Sequence, residues 1–231
     1  MKESQKTQAL RSQAFREAYF RGRIIDIGSG TETVCPEAEP FDMADGDANR
    51  ILDFREAGAY DCVHSSHCLE HMLDPETALL QWWGLLRPGG HLVLVVPEEN
   101  LYEQGYWPSL FNADHKHTFR LDGAASWSPV SRDLRALCAR LPGARVLEAE
   151  IQRAGYREGL RKRPGALPRA GLRWRMARFM AIQRGRARRI PIAGPLAEGL
   201  AVGASLAFGC PVDQTLGNAV AQIQVVVRKD A

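Results

Sequence analysis

The sequence predicts an α/β fold: a doubly wound, mostly parallel sheet with helices on both faces. Three observations predict it. Two short apolar runs, Arg23-Ile24-Ile25-Asp26-Ile27 and His91-Leu92-Val93-Leu94-Val95-Val96-Pro97, break into glycine or proline at an end, as buried parallel strands do. A helical pattern over 76–86 separates strand patterns on either side. Finally, 231 residues that are 45% apolar and 25% charged suit a globular domain able to bury a core without disulfides, and exclude a disordered or fibrous chain.

Taken in order, Thr7 to Phe20 places Leu10, Ala14, Phe15 and Ala18 on one face, which predicts an amphipathic helix within an N-terminal helical segment, 1–22. The strand from Arg23 runs into the tight turn Gly28-Ser29-Gly30. Residues 31–50 are rich in Pro, Asp and Gly, with room for one short strand near Pro40-Phe41-Asp42. Ile51–Phe54 and Tyr60–Ser65 read as further strands. The helix from Glu76 to Leu86 is stopped by Arg87-Pro88-Gly89-Gly90, and His91–Pro97 is the clearest strand of all. In the second half, Ser128-Pro129 opens a helix over Ser131–Leu141. Arg145–Ile151 and Val220–Arg228 read as two closing strands around an insertion of more than 50 residues. The whole chain, 1–231, reads as a single domain without internal repeats.

Charge and cysteine usage narrow the classes. The net charge of +3 conceals one basic segment, Arg157 to Arg189, with 12 Lys/Arg against the single acid Glu158. A solvated helix face is one reading of it. A docking surface for phosphates, nucleic acid or an anionic lipid layer is the other, and it leaves peripheral membrane contact open. Five cysteines without a CxxC pair argue against a disulfide scaffold or zinc ribbon and suit a reducing cytoplasm. No apolar h-region opens the sequence, and Pro191, Pro195 and Glu198 spoil 190–208 as a membrane span.

Asp26-x-Gly28-x-Gly30 is a weak signal for a ligand beyond the strand ends. Thr33 stands where a dinucleotide fingerprint wants its third glycine. An acid before the glycines would repel a pyrophosphate but suit an ammonium or sulfonium. All six histidines lie between 64 and 117. His64, His67 and His71 lack a completing Cys or carboxylate set, so no metal centre is expected. The segment 98–120 mixes Glu98, Tyr102, Tyr106, Asn112 and His117 after the last parallel strand, as a loop binding a polar substrate would.

The series Ile25-Asp26-Ile27-Gly28-Ser29-Gly30, Tyr60 to Ser66 with His67-Cys68-Leu69-Glu70-His71, and Leu86-Arg87-Pro88-Gly89-Gly90 running into His91–Pro97 resembles class I S-adenosylmethionine-dependent methyltransferases. The nearest flavour is the bacterial group associated with small-molecule or surface-sugar methylation, as in polysaccharide biosynthesis. The resemblance implies a Rossmann-like sheet with an antiparallel last strand and S-adenosylmethionine as cofactor. It puts Asp26, Gly28, Ser29 and Gly30 at the amino-acid end of the cofactor. It puts Asp42 on the ribose, with Asp45 and Asp47 as rivals, and Asp53 and Phe54 at the adenine. Ser65, Ser66 and His67 fall beside the transferable methyl. The stretch from Gly30 to Asp42 is too short for the long helix that usually follows the glycine loop.

An in-line transfer to a hydroxyl gains from a base, for which His115 and His67 are candidates, with Asp114 orienting an imidazole. The expected function is O-methylation of a sugar or another polar metabolite, phosphorylated or not, with the basic segment 157–210 as a lid. RNA methylation is the alternative enzyme, disfavoured by only two aromatics, Trp174 and Phe179, in the basic stretch. A non-catalytic cofactor-binding regulatory subunit is the alternative outside catalysis. The oligomeric state is not legible.

Overall fold

The computed structural model describes residues 3–123, 125–161, 175, 179, 194–207 and 210–230. Eight strands occur among them: β1 Ile24–Ile27, β2 Glu39–Phe41, β3 Tyr60–Ser66, β4 Leu86–Pro97, β5 Thr118–Arg120, β6 Ser131–Asp133, β7 Ala144–Gln152 and β8 Gln222–Lys229. Six form one sheet in the order β2-β1-β3-β4-β8-β7, while β5 and β6 pair separately. The strands β2, β1, β3 and β4 run parallel, and β8 pairs antiparallel with both β4 and β7. This is the mostly parallel sheet with an antiparallel last strand that the sequence predicts.

The sheet's two faces differ in chemistry. One packs Ile25, Ile27, Val63, Leu92, Leu94, Val96 and Val225 under Trp82 and Trp83 of α3 (Pro75–Gly84) and Leu134 and Leu137 of α4 (Leu134–Ala139). The other packs a smaller cluster, Ile24, Cys62, Val93 and Val226, against Phe15, Tyr19 and Phe20. Because side chains alternate along a strand, this second face also receives Asp26, His64 and Gln224. Its centre is therefore polar, and the N-terminal segment covers it.

Four local expectations change. The single N-terminal helix is two, α1 Glu3–Leu10 and α2 Gln13–Tyr19. The break falls at Arg11, drawn into the polar face, and at Ser12, whose hydroxyl caps α2 by accepting the Phe15 N–H at 3.1 Å. Ile51–Phe54 is no strand: Ala48–Asp53 is a 3-10 turn, started by the Asp47 carboxylate accepting the Asn49 N–H. The motif Arg87-Pro88-Gly89-Gly90 does not stop α3, which ends at Gly84 with Leu85 as its cap; the motif already lies within β4. The expected helix over Ser131–Leu141 begins as β6, and its cap is Asp133, which accepts the Ala136 N–H, in place of Ser128. As expected, no helix follows Gly30; residues 31–38 turn back directly to β2. Most of the basic segment, 162–193 apart from Arg175 and Phe179, lies outside the described residues, and its role as a lid with it. After it, α5 spans Gly194–Ala207. Among the described residues no helix is long and apolar enough to cross a membrane, and all five cysteines are free thiols.

Candidate active site

Beyond the carboxyl ends of β1, β2 and β3 lie two cavities that share Gly28 and His67 as wall. The smaller, about 260 Å³, is bounded by Thr7, Gln8 and Arg11 on one side and by Asp26, Ser29, His64 and Ser66 on the other. The larger, about 720 Å³, runs from Phe41, Asp42 and Met43 past Asp47, Ala48 and Asn49 to His71, Met72, Asp114 and Lys116. A topological switch of a doubly wound sheet is where such a cleft is expected.

The glycine turn opens the cleft. Gly28 (φ +76°) and Gly30 (φ +60°) both take left-handed backbone that an L side chain rarely adopts. The Gly28 N–H donates to the Phe41 carbonyl at 2.8 Å, and the Gly30 N–H to Asp42 Oδ2 at 2.7 Å, so the turn is bound to the end of β2. Asp42 Oδ1 accepts the Met43 N–H at 2.7 Å; each of its oxygens keeps a second lone pair for a ligand hydroxyl.

Under the smaller cavity runs a buried polar relay. Asp26 Oδ2 accepts the Val34 N–H at 2.6 Å, and Asp26 Oδ1 lies 2.6 Å from His64 Nδ1. His64 Nε2 lies 3.2 Å from Arg11 Nη2, and Arg11 Nε donates to Gln224 Oε1 at 3.0 Å. A guanidinium only donates, so His64 Nε2 accepts and Nδ1 carries the proton toward Asp26. Burial, reinforced by Arg11 and only partly offset by Asp26, lowers the His64 pKa, consistent with this neutral tautomer. Burial also brings Arg11 down to about 10, against the pull of Asp26, which leaves it charged at neutral pH. Three polar atoms of wall residues are buried without a hydrogen-bond partner: Arg11 Nη1, Ser29 Oγ and Ser66 Oγ. Orphaned groups on a cavity wall are what a polar ligand would satisfy.

At the far end of the larger cavity, Glu70 is only 1% exposed and is surrounded by imidazoles. Its Oε1 lies 3.6 Å from His67 Nδ1, 3.9 Å from His115 Nε2 and 4.0 Å from His71 Nε2. Burial favours the neutral acid, but these three rings outweigh it and lower the Glu70 pKa. Behind His115, Glu103 Oε1 lies 2.7 Å from Nδ1, and burial raises the Glu103 pKa despite that bond.

The residues singled out from sequence fall into two groups. Asp26, Gly28, Ser29, Asp42, Ser66, His67 and Asp114 line the cavities. Ser65 instead points inward, its hydroxyl donating to the Ile27 carbonyl at 3.0 Å. Asp53 pairs with Arg50 at 3.6 Å, and Phe54 packs on Phe41, so Asp47, Ala48 and Asn49 occupy the wall in their place. His115 is buried behind His71, their rings 5.0 Å apart.

The loop 98–120 folds on itself and sends Asp114 and Lys116 to the cleft. Glu98 accepts the Leu101 N–H and Asn100 Nδ2, Asn112 accepts the Asp114 N–H, and His117 Nε2 meets the Leu73 carbonyl. Tyr102 lies against Phe111 and His115, and Tyr106 packs on Leu110 and Cys210. Sequence reasoning missed Arg11, Thr7 and Gln8, because the N-terminal helix carries no motif. For His64 the signal was present: it shares strand parity with Cys62, and so faces Asp26 across β1 and β3.

A family model described as a methyltransferase domain matches residues 4–186, a span that includes every residue of both cavity walls. No curated protein matches the chain. Among solved structures, a candidate methyltransferase of Bacillus halodurans C-125 is similar in fold, with a TM-score of 0.50 at 14% identity over 91% of this chain and 94% of that one. A SAM-dependent methyltransferase from Archaeoglobus fulgidus gives 0.48 at 15% identity, over 98% and 94%. The chain belongs to the methyltransferase-domain family and is a class I S-adenosylmethionine-dependent methyltransferase.

Proposed function

We propose that the chain methylates an oxygen of a small polar acceptor, a sugar or a related hydroxyl-rich metabolite, in the cytoplasm. The observation that carries this reading is the meeting of the two cavities at Gly28 and His67, with a polar flank of His71, Asp114 and Lys116 beside the junction. In this reading Arg11, through its unmatched Nη1, takes the carboxylate at the amino-acid end of the cofactor, while Ser29 and Ser66 supply hydroxyls there. Asp42 receives the ribose hydroxyls. Met43, 92% exposed on the wall of the larger cavity, is covered by the adenine, with Ala48 on the same wall and Asp47 and Asn49 at the polar edge.

The bound cofactor supplies a methyl group made electrophilic by its sulfonium. The protein's part is alignment, holding the acceptor oxygen about 3 Å from that carbon and in line. His67, on the wall that both cavities share, is in this reading the imidazole that serves the reacting atoms. His115 acts on the flank through its neighbours Glu70 and His71. Lys116 offers a cation to a phosphate or carboxylate of the acceptor. The His71 carbonyl accepts its ammonium at 2.8 Å and keeps it at the wall.

The test is transfer of a labelled methyl group to a panel of sugars, nucleotide sugars and total RNA. Label in an alkali-stable ether on a small hydroxylated acceptor is the expected result. Label confined to RNA, or to a nitrogen of the small acceptor, would overturn the reading.

A further inference from the structure

We propose that Glu70, His71 and His115 bind a single divalent transition ion of the zinc class at the flank of the cleft. One carboxylate oxygen and two imidazole nitrogens of these residues lie within 4.8 Å of one another. Glu70 and His71 are neighbours in sequence, but His115 lies far along the chain. Two backbone bonds bring it in: the Lys116 and His117 N–H groups both donate to the Glu70 carbonyl, at 2.8 and 3.2 Å.

The proton positions are what point to an ion. His115 Nδ1 lies 2.7 Å from Glu103 Oε1, and His71 Nδ1 lies 2.9 Å from Asp114 Oδ2 and 3.2 Å from the Asp114 carbonyl. Carboxylates and carbonyls accept, so in each neutral ring Nδ1 holds the hydrogen and Nε2 presents its lone pair. Both Nε2 atoms face Glu70 Oε1, at 3.9 and 4.0 Å. Neither Glu70 oxygen has a hydrogen-bond partner within 3.5 Å, although the side chain is 1% exposed; the nearest imidazole nitrogen is His67 Nδ1, at 3.6 Å. Three lone pairs thus converge in a buried space, with His67 Nδ1 beside the same carboxylate, an arrangement that a cation among them stabilises.

The spacing distinguishes an ion from a proton. A protonated imidazole on a carboxylate would close to about 2.7–2.9 Å. Ligands on a tetrahedral zinc at about 2.0–2.1 Å stand roughly 3.4 Å apart, so the gaps to Glu70 of 3.9 and 4.0 Å close by about 0.5 Å and the third, within 4.8 Å, by at most about 1.4 Å. Glu103 and Asp114 supply the carboxylate–histidine contacts that orient metal-binding imidazoles. Two histidines and one glutamate leave a coordination position open, as catalytic zinc sites do. Since His71 lines the cavity, that position faces the cleft. If the acceptor reading above holds, an oxygen of the acceptor takes it.

The experiment is titration of chelator-stripped protein with zinc, followed by calorimetry, and with cobalt, followed by its visible absorption. One ion per chain is expected, with an intense four-coordinate cobalt spectrum. Glu70→Gln and His71→Ala should each weaken binding at least about tenfold, as should the outer variant Glu103→Gln. Cooperative unfolding of each variant checks that it is folded. S-adenosylhomocysteine binding is measured separately on the wild type. Protein that binds S-adenosylhomocysteine but no ion overturns the metal site and leaves the methyltransferase reading intact. Ion uptake unaffected by Glu70→Gln and His71→Ala also overturns it.

Discussion

Replacing Gly28 with alanine tests the packing of the glycine turn, and Gly30 supplies the internal control. Both residues have left-handed backbone, at φ +76° and +60°. An added Cβ at Gly30 meets nothing within 4 Å, so Gly30→Ala carries only the backbone penalty, about 1–2 kcal/mol. At Gly28 the new Cβ would lie 2.7 Å from Cys68 Cβ and 2.8 Å from its Sγ. Overpacking of that kind adds about 1–3 kcal/mol, which brings Gly28→Ala to about 2–5 kcal/mol. The contact is where the turn after β1 crosses Cys68, two residues beyond β3, so the same strain should loosen cofactor binding. Cys68→Gly removes both colliding atoms. In a double-mutant cycle it should return the overpacking component, as a coupling of about 1–3 kcal/mol, while the backbone penalty stays. Urea unfolding of the four proteins reads this directly. Equal costs for Gly28→Ala and Gly30→Ala, or a coupling within about 0.5 kcal/mol of zero, would refute the reasoning.

Other expectations follow from single groups. Because burial keeps His64 neutral in the fold, the unfolded chain takes up a proton that the folded chain refuses. Its contribution is therefore present above about pH 6.5 and falls on acidification, by at most about 1.4 kcal/mol per pH unit. His64→Asn keeps an N–H for Asp26 and should flatten that slope; a wild-type-to-variant difference that is constant between pH 5 and pH 7 contradicts this. Asp74 caps α3, accepting the Glu76 N–H at 3.0 Å and the Thr77 hydroxyl at 2.7 Å, and these bonds, the hydroxyl foremost, lower its pKa. Asp74→Ala should cost about 1 kcal/mol at pH 7. That gap should close as pH falls below about 4 through the depressed pKa, and a gap that persists in acid argues against a charged cap. In the basic segment, Arg173→Glu with Arg175→Glu should raise the acceptor's KM without changing cofactor affinity. Loss of anionic-liposome binding with an unaltered KM would instead make the segment a membrane anchor.

The legible elements are those whose residues answer to one demand. β1 and the second half of β4 are buried along their length, so apolar runs ending in Gly28 and Pro97 mark them without ambiguity. Residues serving a distant partner are misread. Arg11 looks like one more base on a helix until His64 and Gln224, on two other strands, take its guanidinium. Ile51 is apolar because the 3-10 turn buries it under α3, not because it joins the sheet. The same holds for the site. Gly28 and Asp42 follow strand ends and Ser66 closes β3, so they could be placed by position along the chain. Glu70 and His115 are brought together by backbone bonds across the fold, a meeting that no local spacing encodes.

The central claim is that the cleft formed by Arg11, Asp26, Gly28 and Asp42 holds S-adenosylmethionine, and calorimetric titration with S-adenosylhomocysteine tests it most directly. The account predicts one site per chain in the micromolar range, competed by S-adenosylmethionine and weakened by Arg11→Met and by Asp42→Ala. No heat with either ligand, from a folded protein that binds NADH instead, would contradict it.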